Sequence, residues 1–256
     1  MCTLIALHQC VVGAPLVVAA NRDEFLDRPA EGPALRNTPH GTILSPRDSR
    51  AGGTWLGLNA TGLFAAVTNR RSDETNPELR SRGLLVHEVL GAATAEEAAR
   101  AIERLDAQLY NPFNLLVADG HTAHVISSAE ETQRIDLGPG AHVIGNVHPL
   151  EVTPKIERLR GEVARAVEAP AARVLEDLAR VCRGHDGGDP LASTCVHAGP
   201  YGTRSSTLLR LGAEPELHHA GGAPCTAAYD DFSPLLCELG IETGTRAGDT
   251  SVRKVS

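Results

Sequence analysis

Residues 1–25 read MCTLIALHQCVVGAPLVVAANRDEF. Two β-favouring apolar runs, Cys2–Val11 and Leu16–Ala20, are separated by Gly13-Ala14-Pro15, a turn signal, so the stretch reads as a hairpin. With the turn centred on Gly13-Ala14, antiparallel pairing sets residue 2 opposite roughly residues 23–25. Cys2 and Asp23 thereby become neighbours at the open end. Residues 4–20 could also pass for a signal-peptide core. No Lys or Arg precedes them, however, and His8, Gln9, Gly13 and Pro15 interrupt the run, so the expected location is cytoplasmic.

The same grammar continues outward. Thr54–Asn59 and Leu63–Asn69 flank Ala60-Thr61-Gly62, and Phe113–Ala118 and Thr122–Ser127 flank Asp119-Gly120, a strong hairpin dipeptide. Thr132–Leu137 and His142–Asn146 surround Gly138-Pro139-Gly140 as a fourth pair. Two helical pieces are expected over 82–109. The second opens on Thr94-x-x-Glu97, a capping box, with Ala98, Ile102, Leu105 and Leu109 on one face. Thr153-Pro154 is an N-cap with proline at the first helical position, opening a helix to Ala169. Another helix runs to Cys182, and Ser193–Leu211 and Glu216–His219 return to strand. Segregated runs of strands and helices argue for an α+β fold with antiparallel sheets. No repeat or linker divides residues 1–256, so a single domain is expected, with a mobile tail from about residue 240.

The 256 residues carry a net charge of −8 and no basic run, which excludes a nucleic-acid surface. No stretch is long and apolar enough to span a membrane. The only lysines are Lys155 and Lys254. The six cysteines have no framework spacing and read as reduced thiols. No patch in the sequence specifies an oligomeric state.

Initiator methionine is readily removed before a small residue, which would leave Cys2 with its thiol and α-amine on one residue. An amine of pKa about 8 can take the proton of a thiol near 8.5. A nucleophile carrying its own base is the logic of N-terminal-nucleophile hydrolases. Asp23 would hold the ammonium, and the amides of Asn69 and Asn146, at two other strand ends, could donate to a developing oxyanion.

The segments MCTLIAL, ANRDEFLDRP, GGTWLGLNATGLFAAVTNRR, YNPFNLLVADG, IGN…TPKIERLRGEV and YGTRSST resemble the NRDE family, also called the transport and Golgi organisation family. The resemblance implies an N-terminal-nucleophile-hydrolase-like, four-layer αββα sandwich, more distantly similar to bile-salt hydrolases and penicillin V acylases. Carried over, Cys2 matches the nucleophile of those acylases, Asp23 the aspartate contacting it, and Asn69 and Asn146 the asparagines near the oxyanion. Arg204 loosely matches their late arginine. Their earlier arginine, three residues before the aspartate, is Ala20 here, and Arg22 could substitute for it.

The expected function is hydrolysis of a small non-peptide C–N amide by Cys2. Asp23, Asn69, Asn146 and Arg204 would be catalytic, and Arg22, Asn21, Glu24 and Arg70 would bind substrate. No cofactor is expected. The resemblance also implies the alternative, a non-catalytic protein binding or trafficking haem or acyl-CoA in the same cleft, with arginines on its propionates or phosphates.

Three further groupings read as structural. Cys182-x-x-His185 with Cys195-x-His197 has the residue types of a zinc site, but its spacing mixes a helix end, a turn-rich loop and a strand, and no metal is expected. His218 and His219 point to opposite faces of a strand. Asp48 and Arg50 are expected to pair and fix the loop before Trp55, and Trp55 to pack a helix onto the sheet.

Overall fold

The computed structural model describes residues 2–72 and 74–241. The strands run in chain order as β1 Thr3–Val11, β2 Ala14–Phe25, β3 Ala30–Thr38, β4 Gly41–Asp48, β5 Leu56–Asn59, β6 Phe64–Asn69, β7 Phe113–Ala118, β8 Ala123–Ser128, β9 Thr132–Leu137, β10 Gly140–Ile144, β11 His197–Ala198, β12 Tyr201–Leu211, β13 Glu216–Ala220 and β14 Asp230–Asp231. The helices are α1 Arg82–Val89, α2 Ala95–Glu103, α3 Pro154–Glu168, α4 Val174–Cys182 and α5 Pro234–Leu239.

Two seven-stranded antiparallel sheets result. One is the meander β3 to β9; the other has the order β10-β1-β2-β12-β13-β14, with β11 paired to β12. Three apolar layers stack through them. Leu4, Ala6, Leu16, Val18 and Ala20 meet Leu56, Leu58, Phe64 and Leu116 between the sheets. Ile5, Leu7, Val17 and Ala19 of the same first hairpin turn the other way, onto Ile156, Leu159, Leu175 and Leu178 of α3 and α4. Ala65, Leu115 and Val117 bury α1 and α2 on the far side. The fold is therefore the four-layer αββα sandwich. Strands β1 and β2 are apolar on both faces because both faces are covered.

Local chemistry sets the helix starts. Thr153 Oγ1 accepts from Ile156 N at 3.3 Å and Thr94 Oγ1 from Glu97 N at 3.2 Å. Helix α2 stops at Glu103, so Ala98 and Ile102 are buried while Leu109, expected on the same face, is exposed. The fourth expected hairpin is corrected: β9 pairs only with β8, at the edge of one sheet, and β10 with β1, at the edge of the other. Gly138-Pro139 carries the chain between layers. Residues 30–48, not read as strands from the sequence, form β3 and β4. The tail expected to be mobile lies outside the described residues apart from Gly240 and Ile241. Among the described residues no helix is long and apolar enough to cross a membrane.

Two glycines bring the β4–β5 connection against the start of α1. A Cβ on Gly53 would lie 2.4 Å from the Gly83 carbonyl carbon and 2.8 Å from Leu84 N, neither of which can move aside. Gly53→Ala should therefore cost about 1–3 kcal/mol. Thermal unfolding should register this as a melting point lower by roughly 2–12 °C. An unchanged melting point would contradict the contact.

Candidate active site

The register of the first hairpin fixes what Cys2 faces. Thr3 pairs with Asn21 and Leu4 with Ala20, but Val11 pairs with Ala14, so β1 carries one residue more than β2 in a bulge between His8 and Val11. Gln9 takes up the excess at φ 52°, with its Nε2 donating to the carbonyls of Gly120 and His121. A count from the turn alone would put Cys2 beside residue 23 or beyond. The bulge instead sets it one step past Thr3, against Arg22, on the face between the sheets. Asp23 is still in reach through its backbone: Cys2 Sγ lies 3.9 Å from its carbonyl.

Cys2 lines two clefts at once. One, of about 420 Å³, is bordered by Arg22, Asp23, Glu24, Arg28, Asp48, Arg50, Trp55, Asn69, Arg80 and Arg82. The other, of about 410 Å³, is bordered by Val143, Asn146, Val147, Lys155, Ile156, Leu159 and Leu191. Both are of ligand-binding size. The thiol thus sits where a cationic lobe meets a mostly apolar one.

The charges around it are arranged by burial. Asp23 is 4% exposed, and its Oδ1 accepts from Thr203 Oγ1 at 2.6 Å. Burial pushes its carboxyl up to about 6, with the Thr203 bond and Lys155 pulling the other way. Burial also pushes the Cys2 thiol up, as does the Asp23 carboxylate, while Arg22 pulls it down. Lys155, on the first turn of α3, has its Nζ buried with no hydrogen-bond partner among the described residues. Burial lowers its pKa and Asp23 and Cys2 oppose that. Arg22 Nη2 donates to Asp48 Oδ2 at 2.8 Å, its guanidinium lies 4.4 Å from the Trp55 ring centre, and its Nη1 is buried with no hydrogen-bond partner among the described residues.

Six of the residues assigned to the site from the sequence come together: Cys2, Arg22, Asp23, Glu24 and Asn69 in one lobe and Asn146 in the other, where Cys2 also appears. The two asparagines are tied, Asn146 Nδ2 donating to the Asn69 carbonyl. Glu24 is in the cationic lobe as a brace, 3.6 Å from Arg28 and 3.9 Å from Arg22. Three are not brought there. Asn21 faces the helices, where its Nδ2 donates to the Cys182 and Thr194 carbonyls, both at 2.9 Å. Arg70 turns to Ser127. Arg204 sits at the irregularity between Thr203 and Ser205 and donates to the Gly221 carbonyl at 3.3 Å, in a separate pocket.

Other local expectations change too. Asp48 pairs with Arg22 and Arg28, and its other oxygen accepts from the backbone N–H groups of Arg50 and Ala51 instead of pairing with the Arg50 guanidinium. Trp55 packs between the sheets under Arg22, not beneath a helix. His218 meets Glu216 and His219 meets Thr207, both outside the two clefts. Lys155, Arg28, Arg80 and Arg82 were not singled out as site residues. For Lys155 a signal existed, since it is one of two lysines in a chain whose other cationic side chains are arginine.

Residues 1–220 match the family model for transport and Golgi organisation 2. The bovine "Transport and Golgi organization protein 2 homolog" is 30% identical over 232 residues, 78% of this chain and 83% of that protein. The human homolog is 28% identical over 230 residues, with the same coverage. Among solved structures, a Caenorhabditis elegans ortholog of N-acylethanolamine-hydrolyzing acid amidase superposes with a TM-score of 0.54 at 14% identity, covering 81% of this chain and 92% of that one. A mutant conjugated bile acid hydrolase from Clostridium perfringens gives 0.51 at 12% identity, covering 91% and 93%. The αββα sandwich is thus the fold that these two hydrolases share.

Proposed function

The chain belongs to the transport and Golgi organisation 2 family, and from the surroundings of Cys2 we propose that it is a cysteine amidohydrolase acting on a small N-acyl amide. One observation carries this reading: the thiol lies where an apolar lobe meets an arginine-rich one. The substrate is then amphipathic. Its acyl chain packs on Val143, Ile156 and Leu159, and a carboxylate or phosphate on the amine side meets Arg80 or Arg82.

With Met1 removed, the Cys2 α-amine takes the thiol proton and Asp23 orients the resulting ammonium. Sulfur attacks the amide carbon, and the carbonyl oxygen becomes an oxyanion that accepts from the side-chain amides of Asn69 and Asn146. The ammonium protonates the leaving nitrogen, the C–N bond breaks, and water hydrolyses the thioester to release the acid. Lys155 adds positive charge beside Cys2 and Asp23, favouring the thiolate.

Intact-mass measurement and turnover of N-acyl amino acids test this together. The expected result is a mature chain beginning at Cys2 and release of free amine, and a retained Met1 would sink the mechanism because the base would be missing. The two-lobed cleft also fits acyl-CoA held without turnover, its phosphates on the arginines. Under that second reading acyl-CoA binds as tightly to Cys2→Ala and is recovered unchanged, and haemin, the other ligand of the binding alternative, would be recognised by a Soret shift.

A further inference from the structure

A second cluster lies outside the Cys2 clefts. His185, Cys195, His197 and Cys225 each offer a ligand atom, and these atoms all lie within 4.8 Å of one another. Cys195 Sγ is 3.4 Å from Cys225 Sγ and 3.6 Å from His197 Nε2, and His197 Nε2 is 3.1 Å from Cys225 Sγ. A tetrahedron with zinc–sulfur bonds of about 2.3 Å and zinc–nitrogen bonds of about 2.0–2.1 Å has edges of about 3.8 Å between sulfurs and about 3.6 Å between sulfur and nitrogen. These three separations are within about 0.5 Å of those edges, and His185 completes the set with a nitrogen within 4.8 Å of the other three donors. Both thiols are unbonded.

The geometry points to a structural zinc site formed by His185, Cys195, His197 and Cys225. The donor set selects the metal: two thiolates and two imidazoles suit zinc, whereas calcium and magnesium take oxygen. Four protein ligands leave no open position, so the ion would have no substrate to activate. His185 also has the supporting contact such a ligand needs. Its Nδ1 is 3.1 Å from the Cys195 carbonyl, and donating there leaves the lone pair on Nε2.

The surrounding backbone converges on the cluster by its own hydrogen bonds. Cys195 N donates to the Gly184 carbonyl at 2.9 Å, and Arg183 Nε donates to the Pro224 carbonyl at 3.1 Å, beside Cys225. Cys182, the cysteine nearest His185 in sequence, is instead buried in the core of α4, and Cys225, thirty residues beyond Cys195, fills the fourth corner.

The site would brace Asp23 from behind. Val196, between two of the ligands, donates its N–H to Thr203 Oγ1 at 2.8 Å and accepts from Thr203 N at 2.9 Å. That orients the Thr203 hydroxyl to donate to Asp23. A zinc ion would therefore fix the loop that fixes the aspartate.

The test is metal content of the untagged, full-length protein, which does not depend on any hydrolytic activity. One zinc per chain is expected by elemental analysis. Cobalt substituted for it should give intense tetrahedral visible bands and a thiolate-to-cobalt charge-transfer band. Cys225→Ser, half-buried and outside the apolar layers, should still fold but bind zinc more than about 100-fold more weakly, beyond the loss typical of a group that merely orients a ligand. A chelator should lower the melting point of the wild type and leave that variant unmoved. A metal-free protein without a cobalt spectrum, stoichiometric copper or iron in place of zinc, or a Cys195–Cys225 disulfide by mass would each overturn the assignment.

Discussion

Cys2→Ala should abolish turnover of an N-acyl amide, by about 10⁴-fold or more, because no second thiol lines either cleft to take over the attack. Substrate should still bind, since the apolar lobe and the arginines are untouched. A steady-state assay beside equilibrium binding separates the two effects. Cys2 is only half-buried, so its truncation should cost the fold about 1 kcal/mol or less. Residual hydrolysis above about 1% of wild type would remove Cys2 from the nucleophile's role.

Asp23→Asn should move activity and stability in opposite directions. The carboxyl rises from an ordinary 3.8 to about 6 on burial, so ionising it in the folded protein opposes folding by about 3 kcal/mol at neutral pH. The sign follows from proton binding. Between the two values the folded chain holds a proton that the unfolded chain has released. The stability contribution is therefore fully present below pH 3.8 and is lost as pH rises through about 6. Asparagine keeps an oxygen for the Thr203 hydroxyl and carries no charge, so the variant should be the more stable protein at pH 8 and gain little at pH 4. Denaturant unfolding at the two pH values measures this. Catalysis needs the ionised form, so turnover should drop by about 10²–10³ in the variant, and wild-type activity should fall as pH drops through about 6. A variant less stable at pH 8 would contradict the buried charge.

The sequence carried the neighbourhood of the site further than its detail. Gly13-Ala14-Pro15 was enough to bring Cys2 and the NRDE stretch to one end of a hairpin. It was not enough to say which residue Cys2 faces. Strands β1 and β2 are apolar on both faces, so no polar–apolar alternation fixes their register, and a bulge at Gln9 leaves no mark in composition. Asn21 adjoins Arg22 in β2, yet successive side chains of a strand point apart, and Arg70 lies just past the end of β6 with its guanidinium on Ser127. Arg204 was displaced by the irregularity beside it. Strands β3 and β4 escaped because Gly32, Pro33, Gly41 and Pro46 break the usual strand signal. They are tolerated here because β3 is an edge and β4 pairs with β5 only through Ile43 and Leu44. Cys225 was unreadable as a partner of Cys195, since no local spacing joins them.

The Gln9 bulge also separates two tolerances. At the turn, odd-numbered residues of one strand face even-numbered residues of the other; in the middle of the sheet, even faces even. The single extra residue converts one parity into the other, out at the solvent end. Alignment of the chemistry is thus dictated by the two apolar layers that grip Leu4 and Ile5, and the turn merely follows. Length errors introduced near Val12 would be absorbed at the rim, far from the thiol, while the same error between Thr3 and His8 would transpose every side chain down to Cys2. The molecule keeps its sloppy joint at the end where slop is harmless.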